Sequence, residues 1–435
     1  KLNQYESECI RRRIEKSGLN YSMPEEGADF CIINTCTVTA KTDARCRNAI
    51  RRAKRANPDS VIIVTGCQVE ISPRELEGMQ EVDFIIPNAQ KGRISELIAG
   101  ILNNPTEKKT DPELIIGSQP DTEEERIGRF SNHARAFIKI QNGCNAFCSY
   151  CIIPYARGRS RSLPPDRIID QVRKLASNGY QEIILTGIHI GRYGEECSYE
   201  IGITGLLELI LKKTGGTRIR LSSIEPNEVD MELIELASST ERIAPHFHIP
   251  LQSGDDHILD KMNRRYRREY FREQVYRIHN NIPDVSIGTD IIVGFPGEKE
   301  SHFENTRNFL DTLDPVNYFH VFSYSDRPGT RASEMGGKVD PAEKKRRSSI
   351  LIEMGKKKKN DFIKSQEGKN RLAVVLEKDG ERYGFYRAIT GNYCNMTVRS
   401  GPENMRKLVP VRIDRMEGKE LLGEITGKPF FEESQ

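Results

Sequence analysis

Cys144, Cys148 and Cys151 lie within GCNAFCSYCIIPYARGRSRS (143–162), separated by three and then two residues. Three thiolates on one short loop can ligate three irons of a cubane cluster and leave the fourth open. An open metal position is where a substrate can be chelated. A structural zinc knuckle and a ferredoxin-type cluster are the other chemistries open to such residues. Zinc calls for a fourth Cys or His, which the loop lacks, and a ferredoxin-type run has two residues in each gap.

Cys36 and Cys67 form a second feature. Each closes an apolar run, FCIINTC (30–36) and VIIVTGC (61–67), ahead of a helix-forming stretch. In a doubly wound sheet such strand ends line one crevice. A thiol at a helix N-terminus also has a lowered pKa, which favours the thiolate a metal needs. The pair alone is equally compatible with two small buried residues, and a cluster needs at least a third ligand. The ten cysteines are clustered rather than spread as a disulfide framework. With no secretion signal, that points to metal or catalytic use in a reducing compartment, the cytoplasm.

A chain of 435 residues predicts about two to four domains. The net charge is only +3, so any nucleic-acid signal must be local. No run of about 18 apolar residues occurs, and no membrane partner is expected. In residues 1–104, strands are expected at 30–36, 61–67 and 83–88, with helices at 43–56, from 72 and at 91–102. That alternation predicts a small doubly wound parallel sheet. Residues 105–132 are polar and contain proline, and read as a linker.

Residues 133–365 hold a longer alternation. Strands are expected at 136–141, 181–187, 218–224, 245–251, 285–294 and 317–324. Helices are expected at 165–178, 205–213, 230–238, 255–262, 268–279 and 300–312, followed by a charged helix at 341–365. Six such units predict a partial (β/α)6 barrel with ligands at the C-terminal strand ends. Residues 366–435 carry short strands with turn signals and predict a small β-barrel.

The cysteine spacing after the first barrel strand, with the aromatic Tyr150 before the last cysteine, resembles the radical S-adenosylmethionine (SAM) enzymes. The resemblance implies a 4Fe–4S cluster on Cys144, Cys148 and Cys151 whose open iron binds SAM. The other strand ends then supply SAM contacts: Gly187 in TGIHIGRYG, Ser223 and Glu225 in SSIEP, Gln252 in HIPLQSGDD and Asp290 in GTDIIVGFPGE. Their shared place on successive strand ends is what groups them.

INTCTVT, TGC, GCNAFCSYCIIPYARGR, LTGIHIGRYG, HIPLQSG and GTDIIVGFPGE together resemble the methylthiotransferases, in the branch acting on threonylcarbamoyladenosine in tRNA. That family carries a second, auxiliary 4Fe–4S cluster on three cysteines of its N-terminal domain, and Cys36 and Cys67 match two of them. Its first cysteine, in a Gly-Cys pair before the first helix, is not in this sequence, which opens KLNQYESEC without a preceding strand. About ten residues ahead of Lys1 are expected to supply both. Cys9 sits about 12 Å along the expected helix from Lys1, too far to substitute.

Basic residues cluster in three places: Arg45, Arg47, Arg51, Arg52, Lys54 and Arg55; Arg157, Arg159 and Arg161; and Lys356 to Lys359. They fit a phosphate-rich partner. The terminal domain resembles TRAM, an RNA-binding β-barrel, with Tyr383, Phe385, Tyr386 and Tyr393 available for stacking. The implied function is conversion of N6-threonylcarbamoyladenosine, next to the anticodon, to its 2-methylthio derivative. The implied partners are the tRNA anticodon stem-loop and an electron donor such as a flavodoxin or ferredoxin, with the enzyme a monomer. Alternatives are methylthiolation of isopentenyladenosine in tRNA or of a ribosomal-protein aspartate, and a non-catalytic Fe–S RNA-binding protein.

Overall fold

The VIIVTG run makes a central strand because β-branched residues fill both faces of a pleated, buried ladder. It is described in a computed structural model covering residues 1–22, 27–103, 113–114, 127–130, 133–197 and 201–431. The chain divides into two units. One holds Lys1–Ile127, Gly143–Ser160 and Ser325–Ser333; the other holds Gly128–Asn142, Arg161–Tyr324 and Glu334–Gln435.

In the first unit, β1 (Phe30–Thr35), β2 (Val61–Gly66), β3 (Phe84–Ile86) and β4 (Glu113–Leu114) form a parallel sheet in that order. Helices cover both faces. Ile50 of α2 (Ala40–Ala56), Val69 of α3 (Cys67–Ile71) and Leu76 of α4 (Pro73–Glu77) pack with Ile62, Val64 and Ile85 on one face. Ile10 of α1 (Leu2–Lys16) and Ile94 and Ile98 of α5 (Ile94–Asn103) pack with Ile63, Phe84 and Ile86 on the other.

Four expectations change in this unit. The strand order is sequential, without the reversal of a doubly wound sheet among the described strands. β1 is half-buried rather than buried, because it is an edge strand of that sheet. The helix expected from Ser72 begins at Cys67 and breaks at Ser72, where Pro73 starts a new turn. Within the expected linker 105–132, Glu113–Leu114 pairs with β3; residues 105–112, 115–126, 131 and 132 lie outside the described residues.

In the second unit, β5 (Ala136–Lys139) leads to a short antiparallel pair, β6 (Gln141–Asn142) with β7 (Arg161–Ser162), from which the cysteine loop springs. Six parallel strands follow the expected order. β5, β8 (Glu182–Thr186) and β9 (Arg218–Leu221) form one ladder; β10 (His246–His248), β11 (Ser286–Val293) and β12 (Val316–Ser323) form another. A parallel bridge, Ile219 to Ile243, joins them. A 24-residue helix, Pro341–Lys364, packs on β12, where Gly355 leaves room for the Phe319 ring.

β13 (Asn370–Lys378), β14 (Phe385–Thr390), β15 (Asn395–Arg399), β16 (Leu408–Glu417) and β17 (Glu420–Ile425) close a five-stranded barrel. Its core takes in Cys394 and Tyr386. A buried network fixes it to the parallel strands. Glu182 accepts from Arg218 and Arg220, and Arg220 also donates to the carbonyls of Thr390 and Gly391. Burial raises the Glu182 carboxyl, and the guanidinium groups of Arg220, Arg218 and Arg135 more than reverse that, holding it well below its usual range.

Candidate metal centres and cofactor site

The cysteine loop is shaped by its backbone. Gly143 has φ +72°, and a Cβ there would lie 2.0 Å from the Arg159 carbonyl oxygen. Cys144 N–H donates to Gly158 O (3.1 Å), and Cys151 N–H to Cys148 O (2.9 Å). The Ala146 amide donates to Cys144 Sγ (3.3 Å), a contact of the kind that stabilises a thiolate ligand. The turn is tight enough to put Phe147 at φ 49°, where its ring packs edge-on to Tyr155 and under Arg159. Cys144, Cys148, Tyr150 and Cys151 are all half-buried. Ala332 N–H donates to Ser149 O, tying the loop to the segment after β12.

Cys36 and Cys67 are neighbours by register. Thr35 pairs with Gly66 at the last rung of β1 and β2, so the next residue of each strand leaves the same edge. A Cβ on Gly66 would meet Thr35 O at 2.3 Å, and φ there is +106°. Only glycine fits this turn. Thr35 Oγ1 donates to Thr65 O and accepts from Gln68 N–H, fixing the chain on both sides of Cys67. Cys46 directs its thiol at Cys36 O (3.6 Å).

The expectation of a lowered pKa at Cys67 is corrected. Burial pushes this thiol up, and Arg157 and Lys91 oppose the rise. The five-residue helix it starts is too short to overcome desolvation. Arg157, at the end of α6 (Ile153–Arg157), hydrogen-bonds Cys67 and donates to Glu6 at 2.6 and 3.1 Å. Lys91 donates to Glu6 at 2.7 Å.

The strand-end residues lie in the second unit. Gly187 has a packing reason: a Cβ would come within 2.7 Å of Ile190 and 2.9 Å of Gln141 O. Gln252 is held at φ 67°, its amide bonded to Asp290 O and its carbonyl to Ile292 N–H. Strain imposed by backbone bonds on a non-glycine residue is a mark of functional sites. Glu225 caps the turn Pro226–Glu228 and pairs with Arg264, so its carboxylate is already engaged. Asp290 and His320 face each other across β11 and β12, and Asp290 Oδ1 lies 3.1 Å from His320 Nδ1 and 3.3 Å from His248 Nε2. Ser223 Oγ lies 2.9 Å from His248 Nδ1.

Residues 138–310 match the radical SAM superfamily, and residues 1–87 match Uncharacterized protein family UPF0004. The threonylcarbamoyladenosine tRNA methylthiotransferase MtaB of Aquifex aeolicus is 39% identical, over 95% of this chain and 98% of its own. The chain belongs to the radical SAM methylthiotransferases. The Bacillus subtilis MtaB is 36% identical over 95% of this chain and 91% of its own. A tRNA-2-methylthio-N(6)-dimethylallyladenosine synthase of Thermoanaerobacter is 33% identical over 98% and 90%. Among solved structures, the radical SAM methyltransferase TsrM of Kitasatospora setae shares the fold (TM-score 0.52, 14% identity, 74% of this chain and 68% of that one).

Methylthiotransferases of this kind use SAM and two 4Fe–4S clusters. The three loop cysteines fit the first group, and Cys36 and Cys67 fit two ligand positions of the second. Three cysteines on one loop, one with a backbone N–H on its sulfur, suit the SAM-binding cluster. At Cys67, Arg157 and Lys91 bring positive charge that opposes the burial-driven rise of the thiol and would offset part of the charge of a bound thiolate.

Sequence reasoning missed His248 and His320, because only the pairing of β10, β11 and β12 sets them against Asp290. It also missed Glu6 and Lys91, which lie 85 residues apart and meet through tertiary packing. His189 stood within a quoted motif; its contact with Glu228 (2.6 Å) depends on Gly191, where a Cβ would strike that carboxylate.

Proposed function

We propose that the chain converts N6-threonylcarbamoyladenosine in tRNA, next to the anticodon, to its 2-methylthio derivative. The carrying observation is the near full-length similarity to enzymes of that name, with Cys144, Cys148 and Cys151 and two auxiliary-set cysteines, Cys36 and Cys67, present. We assign Cys144, Cys148 and Cys151 to the SAM-binding cluster, and Cys36 and Cys67 to the auxiliary one. Tyr150, Gly187, Ser223, Glu225, Gln252 and Asp290 are assigned to the SAM pocket. Bound there, the two clusters and SAM would supply the radical and sulfur-transfer chemistry that places a methylthio group at C2 of the adenine.

The protein's own part is placement. The Gln252 backbone bonds and the His248–Asp290–His320 layer hold the strand ends in one geometry before any ligand arrives. Arg45, Arg51, Arg52 and Arg55 are exposed along α2, as are Arg159, Arg161 and Lys356, Lys357 and Lys359. These suit phosphates of an anticodon stem-loop. In the reading of residues 366–435 as TRAM, Tyr383, 93% exposed, is the stacking residue. Tyr386 lies in the barrel core and is not offered to RNA as expected, while Tyr393 is exposed on one side and stacks on His246. The domain division 1–104, 133–365 and 366–435, the cytoplasm, the monomer and a flavodoxin- or ferredoxin-type donor complete the proposal. Among the described residues, no helix is long and apolar enough to cross a membrane.

Nucleoside mass spectrometry of tRNA incubated with enzyme, SAM and reductant tests the proposal. A 2-methylthio product on threonylcarbamoyladenosine supports it. Product on dimethylallyladenosine instead, the reading favoured by the Thermoanaerobacter relative, overturns it.

A further inference from the structure

The first unit contains a buried charge arrangement that the cysteines alone do not explain. Glu6, Lys91 and Arg157 have side chains 8%, 12% and 6% exposed. One carboxylate therefore serves two cations in a poorly hydrated place. Arg157 also hydrogen-bonds Cys67, the first residue of α3, which packs against α6.

Arg157 is also held by position. It ends α6, six residues after Cys151, and Gly158 follows it at φ 74° to turn the chain back. The Ala156 carbonyl beside it accepts from Asn88 Nδ2 at 3.1 Å. The guanidinium thus reaches Cys67 from a helix attached to the other cysteine loop, with its orientation fixed by Glu6.

We propose that Arg157, aligned by Glu6, is the positioning residue of the auxiliary centre: it donates to the Cys67 sulfur and sets the reduction potential of the cluster held there. The inference rests on assigning that cluster to Cys36 and Cys67. A fixed positive charge at hydrogen-bond distance from a ligand sulfur favours the reduced, more negative cluster.

The test uses full-length protein in which Cys144, Cys148 and Cys151 are all changed to Ala, so that one cluster remains. Iron is counted, and the cluster is titrated potentiometrically with EPR detection. Arg157→Gln should shift the reduction equilibrium at least tenfold toward the oxidised form, about 59 mV lower for a one-electron couple. Arg157→Lys should stay near the parent, and Glu6→Gln should move the other way. Full iron content with an unchanged potential in Arg157→Gln overturns the inference. If instead Cys67→Ala keeps the parent's iron, the assignment of the cluster fails, which is a separate outcome. Should Arg157→Gln lose its cluster, Glu6→Gln alone decides: no positive shift overturns the proposal.

Discussion

Thr35 and Gly66 face each other across the last rung of two parallel strands, and each is followed by a cysteine. The pairing puts Cys36 and Cys67 on one edge of the sheet, and the missing side chain at Gly66 lets the Thr35 backbone pass.

Gly66→Ala should therefore be costly. The new methyl would sit inside van der Waals contact of Thr35 backbone atoms, at a φ that L-residues rarely adopt. A loss of about 2 kcal/mol or more is expected. Chemical unfolding would measure it, and iron content would fall with it.

The two cysteine sets should separate by product. Cys148→Ala should abolish 5′-deoxyadenosine formation and leave about four irons per chain of about eight. Cys67→Ala should retain SAM cleavage and lose the methylthio nucleoside. Chromatography of both products from the same reaction checks the pair.

Glu182 carries two buried arginines that also hold the C-terminal barrel by its carbonyls. Glu182→Gln leaves Arg218 and Arg220 uncompensated and should cost about 3–5 kcal/mol. Thermal unfolding should show it, together with easier proteolysis between residues 364 and 370.

Asp290 gives a pH prediction. Burial raises its carboxyl, and hydrogen bonds from His248 and His320 outweigh that, leaving it at about 2. A depressed carboxyl contributes stability above its unfolded value and loses it as pH falls through its folded value. That contribution, about 2 kcal/mol, should be complete above about pH 4 and gone near pH 2. The stability gap between wild type and Asp290→Asn, measured by urea unfolding of cluster-free protein, should narrow over that window. A constant gap would contradict it.

Salt should weaken tRNA binding. Arg51→Ala with Arg52→Ala should lower the slope of log affinity against log salt, while Tyr383→Ala should lower affinity with the slope intact. Filter binding at several salt concentrations resolves the two.

Much was legible in the chain itself. The spacing of Cys144, Cys148 and Cys151, the apolar runs ending at Cys36 and Cys67, and the alternation from residue 136 to 323 are local patterns with local physical causes. Period and turn chemistry fix such elements to within a few residues. The split at Ser72 was missed because a single proline could be weighed only once Cys67 was seen to start a helix.

Other features needed the third dimension. Sequence determined which residues could ligate iron and which strands would carry them. It did not determine that Cys67 is too buried for a helix N-terminus to lower its pKa, or that Glu225 is engaged by Arg264. It gave no sign that Glu6, Lys91 and Arg157 converge. Those outcomes depend on desolvation and on contacts between residues up to 151 apart. They are properties of packing, which no short window of sequence contains.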